Sequence, residues 1–262
     1  MSPLYASVSF TRDIPILLTS IFEYDIAKAN ISVLFNRGRI SLADYTRLYN
    51  ADNMTRKIII GKMERENPIL TKEKQKGIME AKQYLFEANE IEDHEVVSIK
   101  NDAVFVTRML EHTKYGYAEF TLRNRYDLFM KVLRLELYYM FDQITGEEDL
   151  TIKGVNDSVL ALHDDYILDF LRQLLCTYMN SGVEHSIRLL RGFYQAYTSR
   201  TMDINFYRDL RTGRYIINTG SLVYEYDSII PDPNMIDMVD IRNNCMFFRA
   251  LAKTLQAQYL RG

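Results

Sequence analysis

Two aspartates carry the clearest chemical pattern in the chain. Asp25 stands at the end of an apolar run, LLTSIFEYDI at 17–26, immediately before a segment of helical periodicity. Asp102 lies 77 positions later, at the tip of a predicted hairpin. Carboxylates held at strand ends are what metal-assisted phosphoryl transfer requires. Two ions roughly 4 Å apart need hard oxygen ligands on rigid elements, so that one activates the attacking oxygen and the other steadies the leaving group. Mg²⁺ or Mn²⁺ is the cofactor this chemistry implies. The ordinary uses of the same residue types are a helix cap for Asp25 and a turn for Asp102. Convergence of the two side chains is what separates the readings.

The elements that must position them follow from patterning. The β-branched and aromatic run at 17–26 predicts a buried strand, and Ile31, Leu34 and Phe35 place one apolar face on a helix at 27–35 that stops at Gly38. Ser41 caps a second helix, with Asp44 at the capping-box position. Residues 54–66 predict a third helix, which carries the densest basic stretch of the chain; 71–89 predict a longer one with Ile78, Ala81, Leu85 and Phe86 buried. EVVSIKNDAVFVTRM at 95–109 predicts a hairpin, because Asn101-Asp102 tolerates the left-handed backbone of a tight turn. A second β pair is expected around Tyr115-Gly116, leading into a strongly apolar helix at 126–141. Beyond Gly146 the pattern is mostly helical, with segments at 164–180, 186–199 and 240–260 and a Pro-containing loop at 231–234. The expected class is α+β, with a small palm-like sheet and packed helices at 1–147 and a mainly helical domain at 148–262.

The residues around both aspartates carry a resemblance. Glu23-Tyr24-Asp25-Ile26-Ala27-Lys28-Ala29-Asn30-Ile31 resembles the first palm motif of template-dependent polymerases, and Ser98-Ile99-Lys100-Asn101-Asp102-Ala103-Val104-Phe105-Val106 is similar to the later motif, a hairpin presenting an acid. Arg56, Lys57 and Lys62, with Gly61 beside them, resemble the basic helix that grips the triphosphate in family A DNA polymerases. The resemblance implies that Asp25 and Asp102 ligate metal and that Asn30 faces the sugar. Arg56, Lys57 or Lys62 would then neutralise phosphate, with Lys100 counted beside them. It covers roughly residues 17–110, and it departs from the palm pattern where Asn101-Asp102 replaces a pair of acids. The strings DI-K-NI, RK-IG, SIKNDA and KG-ND also resemble a family of bacteriophage proteins, a likeness that brings no activity with it.

Other clusters have plainer uses. The cations at 56–65 can equally form a solvated face paired with Glu64 and Glu66. His163, beside Asp164 and Asp165, fits a helix start more simply than an acid/base site. Arg208, Arg211 and Arg214 alternate with Tyr207, Tyr215 and Tyr224, which suits base stacking and phosphate contact or, equally, a surface hairpin. Walker, dinucleotide-binding glycine, GxSxG and HExxH motifs are absent, so the common hydrolase and dehydrogenase classes lose support. Cys176 and Cys245 have no metal or disulfide spacing, no stretch has the length of a membrane span, and the start of the chain has no leader pattern. A cytoplasmic setting, in the host if the chain is of phage origin, is therefore expected. With a net charge of −3, a nucleic-acid or nucleotide partner must meet a local basic surface. Two functions are compatible with this: a palm-like nucleotidyltransferase, working on nucleotides or nucleic acid with other replication proteins, or a non-enzymatic phage-type binding or assembly protein.

Overall fold

The computed structural model describes residues 3–218, 223–226 and 233–260. The fold is α+β, and its contacts divide it into two units, Met1–Asp13 with Ser20–Arg125, and Ile14–Thr19 with Tyr126–Gly262. The segment near Gly146, marked as a boundary by its GEED composition, is the turn between two strands of the second unit.

In the first unit, strand β1 (Ser9–Thr11) pairs with β3 (Val96–Lys100), β3 with β4 (Ala103–Val106), and β4 with β2 (Ile16–Ile26), each antiparallel. Between β2 and β3 the chain forms four helices: α1 (Ala29–Asn36), α2 (Leu42–Asn50), α3 (Asn53–Glu66) and α4 (Ile69–Ala88). Tyr24 and Ile26 of β2 pack with Val33 of α1 and Ile78, Ala81 and Leu85 of α4 in one apolar cluster. Because strand side chains alternate, the pleat turns Glu23 and Asp25 to the other face. The two helices meet closely at Gly77, where a Cβ would stand 2.8 Å from the Val33 Cβ. Arg37 of α1 fixes the same contact by pairing with Glu73 and Glu80 of α4. The predicted caps are present: the Ser41 hydroxyl accepts from the Asp44 amide at 3.1 Å, and Gly38 takes φ +64° at the end of α1. Strand β5 (Lys114–Tyr115) turns through Gly116 into β6 (Ala118–Val132).

The second unit corrects one prediction outright. Residues 126–141 form no helix; the later part of β6 and β7 (Leu135–Phe141) make a hairpin joined by Leu133-Arg134, and β7 pairs in turn with β8 (Glu148–Lys153). Leu128, Met130, Val132, Leu137 and Tyr139 fill one core, while Tyr126, Phe129 and Tyr138 are buried against one another elsewhere. With both faces covered, the period of two disappears into a continuous apolar run that looks the same as a buried helix. β8 likewise places a strand where helix was expected after Gly146. Most of the rest is helical: α5 (Asp157–Leu160), α6 (Asp169–Thr198) broken at Gly182 with φ +80°, and α7 (Arg242–Tyr259). A hairpin of β9 (Tyr215–Asn218) and β10 (Val223–Tyr226) lies between α6 and α7. Part of the predicted loop at 231–234 lies outside the described residues.

Leu133 gives a test of sign. It is exposed and holds φ +57°, a backbone that costs a leucine about 1 kcal/mol and a glycine almost nothing. Leu133→Gly is expected to raise unfolding stability by about 0.5–1 kcal/mol in chemical denaturation, whereas a helical 126–141 would lose about 1 kcal/mol.

Candidate metal and phosphate site

Asp25 is the penultimate residue of β2, and Asp102 follows Asn101 in the two-residue turn between β3 and β4. The register aligns Asp25 with Ala103, the residue after Asp102, so the turn delivers the second carboxyl to the end of the central strand. The Asp102 carboxyl is close enough to Asp25 for its charge to raise the Asp25 carboxyl's pKa. Asn101 makes the turn possible by adopting φ +56°, with its amide donating to the Val8 carbonyl at 2.7 Å. Its side-chain amide also donates to Asp102 Oδ1 at 3.1 Å.

Neither acid is a cap. Strand β2 ends at Ile26, and the N-cap of α1 is Lys28, in the left-handed region at φ +50° with its ammonium 2.5 Å from the Tyr49 carbonyl. The Asp25 side chain keeps 31 % of its exposure, enough to admit a ligand. Partial burial, and then the charge of Asp102, push its carboxyl up to about 6, with Arg123 opposing and Glu23 adding to the effect. Arg123 Nε lies 3.7 Å from Asp25 Oδ2, and Asn124 donates to Glu23 at 2.9 Å. Two carboxylates this close raise each other's cost of ionisation, which a cation between them removes. Among the described residues no third acid, histidine or cysteine joins them in a group of metal-ligating type. An ion held there would complete its shell with water and ligand oxygens, the habit of Mg²⁺.

A family model described as Bacteriophage PBS1 gene 130 protein matches residues 5–256, a span that includes both acids and most of both units. The chain belongs to this bacteriophage protein family. No curated protein matches it. No helix among the described residues is long and apolar enough to cross a membrane.

In this member of the PBS1 gene 130 protein family the other predicted residues are placed as follows. Asn30 is half-buried on the first turn of α1. Lys100 donates to the Thr11 hydroxyl at 3.0 Å. On α3, Arg56 bonds the Ala51 carbonyl and Asn53, Lys57 is exposed, and Lys62 faces Glu66 at 3.9 Å. The charges acting on Asp25 are those of Asp102, Arg123 and Glu23, with no α3 cation among them.

Sequence reasoning missed Lys82 of α4. Its side chain is 2 % exposed, its ammonium donates to the Ser7 carbonyl at 2.6 Å, and burial lowers it to about 8 while the charge of Asp102 opposes that fall. The available signal was a lysine one turn from Ile78, inside the stripe read as core. The clusters of the second unit are ordinary by comparison. A short helix, α5, capped by Asn156 precedes the predicted one, and the long helical run starts at Asp164, where a π turn over Asp164–Leu168 leads into α6. Asp164 pairs with Arg172, and His163 is a fully buried core residue with Nε2 3.2 Å from the Asp209 carbonyl. Arg208 stacks on Tyr215 and bonds the Gly213 carbonyl, Arg211 lies 3.7 Å from Asp209, and Arg214 pairs with Glu225.

Proposed function

We propose that this phage protein is a palm-like nucleotidyltransferase, or a nucleic-acid-binding relative of one, that holds Mg²⁺ or Mn²⁺ between Asp25 and Asp102. The observation that carries the reading is the convergence of two carboxyl groups 77 positions apart at one solvent-open strand end, with one of them pushed up to about 6 by burial and by the other. In the first unit β4 lies between β3 and β2, α1 and α4 pack against one face of β2, and Asp25 lies on the other side of its pleat.

A bound divalent ion supplies charge stabilisation at a phosphoryl group. The chain's own part is to fix the acids on a strand and a tight turn and to cancel their mutual repulsion only when a cation arrives. A host-cytoplasmic role in replication goes with this reading. The test is Mn²⁺ binding followed by electron paramagnetic resonance, run beside nucleotide incorporation on a primed template. Saturable Mn²⁺ binding and incorporation that both disappear in Asp25→Asn and Asp102→Asn support the reading, and activity that survives either substitution removes it.

A binding role without catalysis has its own support. Tyr49 and Tyr117 are exposed and line a cavity of about 380 Å³ with Tyr45 and Lys114. Such rings are platforms on which bases stack. Nucleic acid that co-purifies, leaves with rising salt and needs no metal favours that reading.

A further inference from the structure

We propose that the cavity between α4 and the β3–β4 turn binds the polyphosphate chain of a nucleotide. Its volume is about 430 Å³, within the range of small-molecule sites. Lys72, Lys76 and Lys82 of α4 line it together with Asn101 of the turn, and no acidic residue is among its lining groups.

The pairing of charge on α4 distinguishes this wall from the rest of the helix. Elsewhere on α4 the charges are matched: Lys74 sits 2.5 Å from Glu64, and Glu73 and Glu80 take Arg37. Among the described residues, the side chains of Lys72 and Lys76 have neither a hydrogen bond nor an ion pair. Lys82 completes the row from the interior, 2 % exposed and bonded to a backbone carbonyl. A buried ammonium hydrogen-bonded only to a neutral oxygen costs several kcal/mol; the charge of Asp102 offsets part of that cost, and an anion at the cavity floor would offset more.

The spacing favours a chain of phosphates over a single one. From Lys72 to Lys82 the helix rises ~15 Å, a spread that a row of phosphates matches with less bending of the lysine side chains than a single phosphate requires. Val8, Ile78 and Met79 add apolar wall that an inorganic anion does not need and a base or sugar does. Asn101 joins the cavity to the acids through its bond to Asp102. The site uses none of the residues of the metal pair, and it places the phosphate contacts on α4 rather than on α3.

The test is calorimetric titration of the full chain in EDTA with tripolyphosphate, ATP and adenosine. Lys72→Glu/Lys76→Glu alters two exposed positions and is expected to weaken tripolyphosphate and ATP at least tenfold. Lys253→Glu, exposed on α7, is expected to change neither. Adenosine alone is expected to bind far more weakly than ATP. The proposal is overturned if the α4 double variant binds tripolyphosphate and ATP like the wild type, or if neither binds the wild type at millimolar concentration. It is also overturned if the loss appears in Lys57→Glu/Lys62→Glu instead. Because the titration contains no free metal, its failure leaves the Mn²⁺ result at Asp25 and Asp102 untouched, and failure at those acids leaves the cavity standing.

Discussion

Asp25→Asn is expected to stabilise the metal-free protein at pH 7 by about 1–2 kcal/mol while lowering Mn²⁺ affinity on the order of 100-fold. The first effect follows from linkage. The folded carboxyl is raised from 3.8 to about 6, so the folded state binds this proton more tightly than the unfolded chain. Its contribution to stability is therefore greatest below 3.8 and is lost as pH rises through 6. At pH 7 the wild type carries the full cost of an ionised Asp25 beside Asp102, reduced by the solvent that reaches a third of the side chain. Asparagine keeps the shape and removes the charge. The second effect follows from the same pair: without one carboxylate the cation loses a ligand, and below pH 6 the wild type itself should release Mn²⁺ as protons compete for Asp25. Urea unfolding with and without Mn²⁺ reads both effects. A variant that is less stable than the wild type without metal, or equally stabilised by Mn²⁺, would show that the acids serve the fold and not an ion.

His163 is expected to make the second unit acid-labile. Burial lowers its imidazole to about 4, against an ordinary value of 6.5. The unfolded chain takes up this proton first, so the stabilising contribution is complete above 6.5 and is lost as pH falls toward 4. The loss amounts to about 2 kcal/mol by pH 4.5 and about 3 kcal/mol below pH 4. His163 Nδ1 and Asp209 Oδ2 are both buried with no hydrogen-bond partner among the described residues, so the neutral ring has no neighbour placed to accept a new proton. His163→Gln removes the titration. Hydrogen exchange of the amides in α6, measured at pH 7 and 4.5, should show the wild type losing about 2 kcal/mol more protection than the variant. Equal losses would place the acid sensitivity elsewhere.

Local chemistry made most of the first unit legible. The strand before Asp25, the Gly38 stop, the Ser41 cap and the Asn101-Asp102 turn each depend on residues within a few positions of one another, and each is present. The 126–141 hairpin was illegible for the opposite reason. Its two faces are covered by groups far away in sequence, and its turn uses a leucine and an arginine where glycine or asparagine would announce a left-handed residue. The short helix α5 was missed because four residues are too few to show a helical period, whereas the start at Asp164 was legible from its paired aspartates.

By itself, then, the amino-acid order determined the secondary elements that close through short-range hydrogen bonds and singled out the two acids of the proposed cation site. Whether those acids meet, which lysines stand beside them, and that Lys82 is buried were decided only by tertiary structure. The physical reason is that a carboxylate's pKa, a lysine's pairing and a strand's second face depend on neighbours brought in by the β2–β4 register and the packing of α4. Those contacts are long-range, and no window of neighbouring residues contains them.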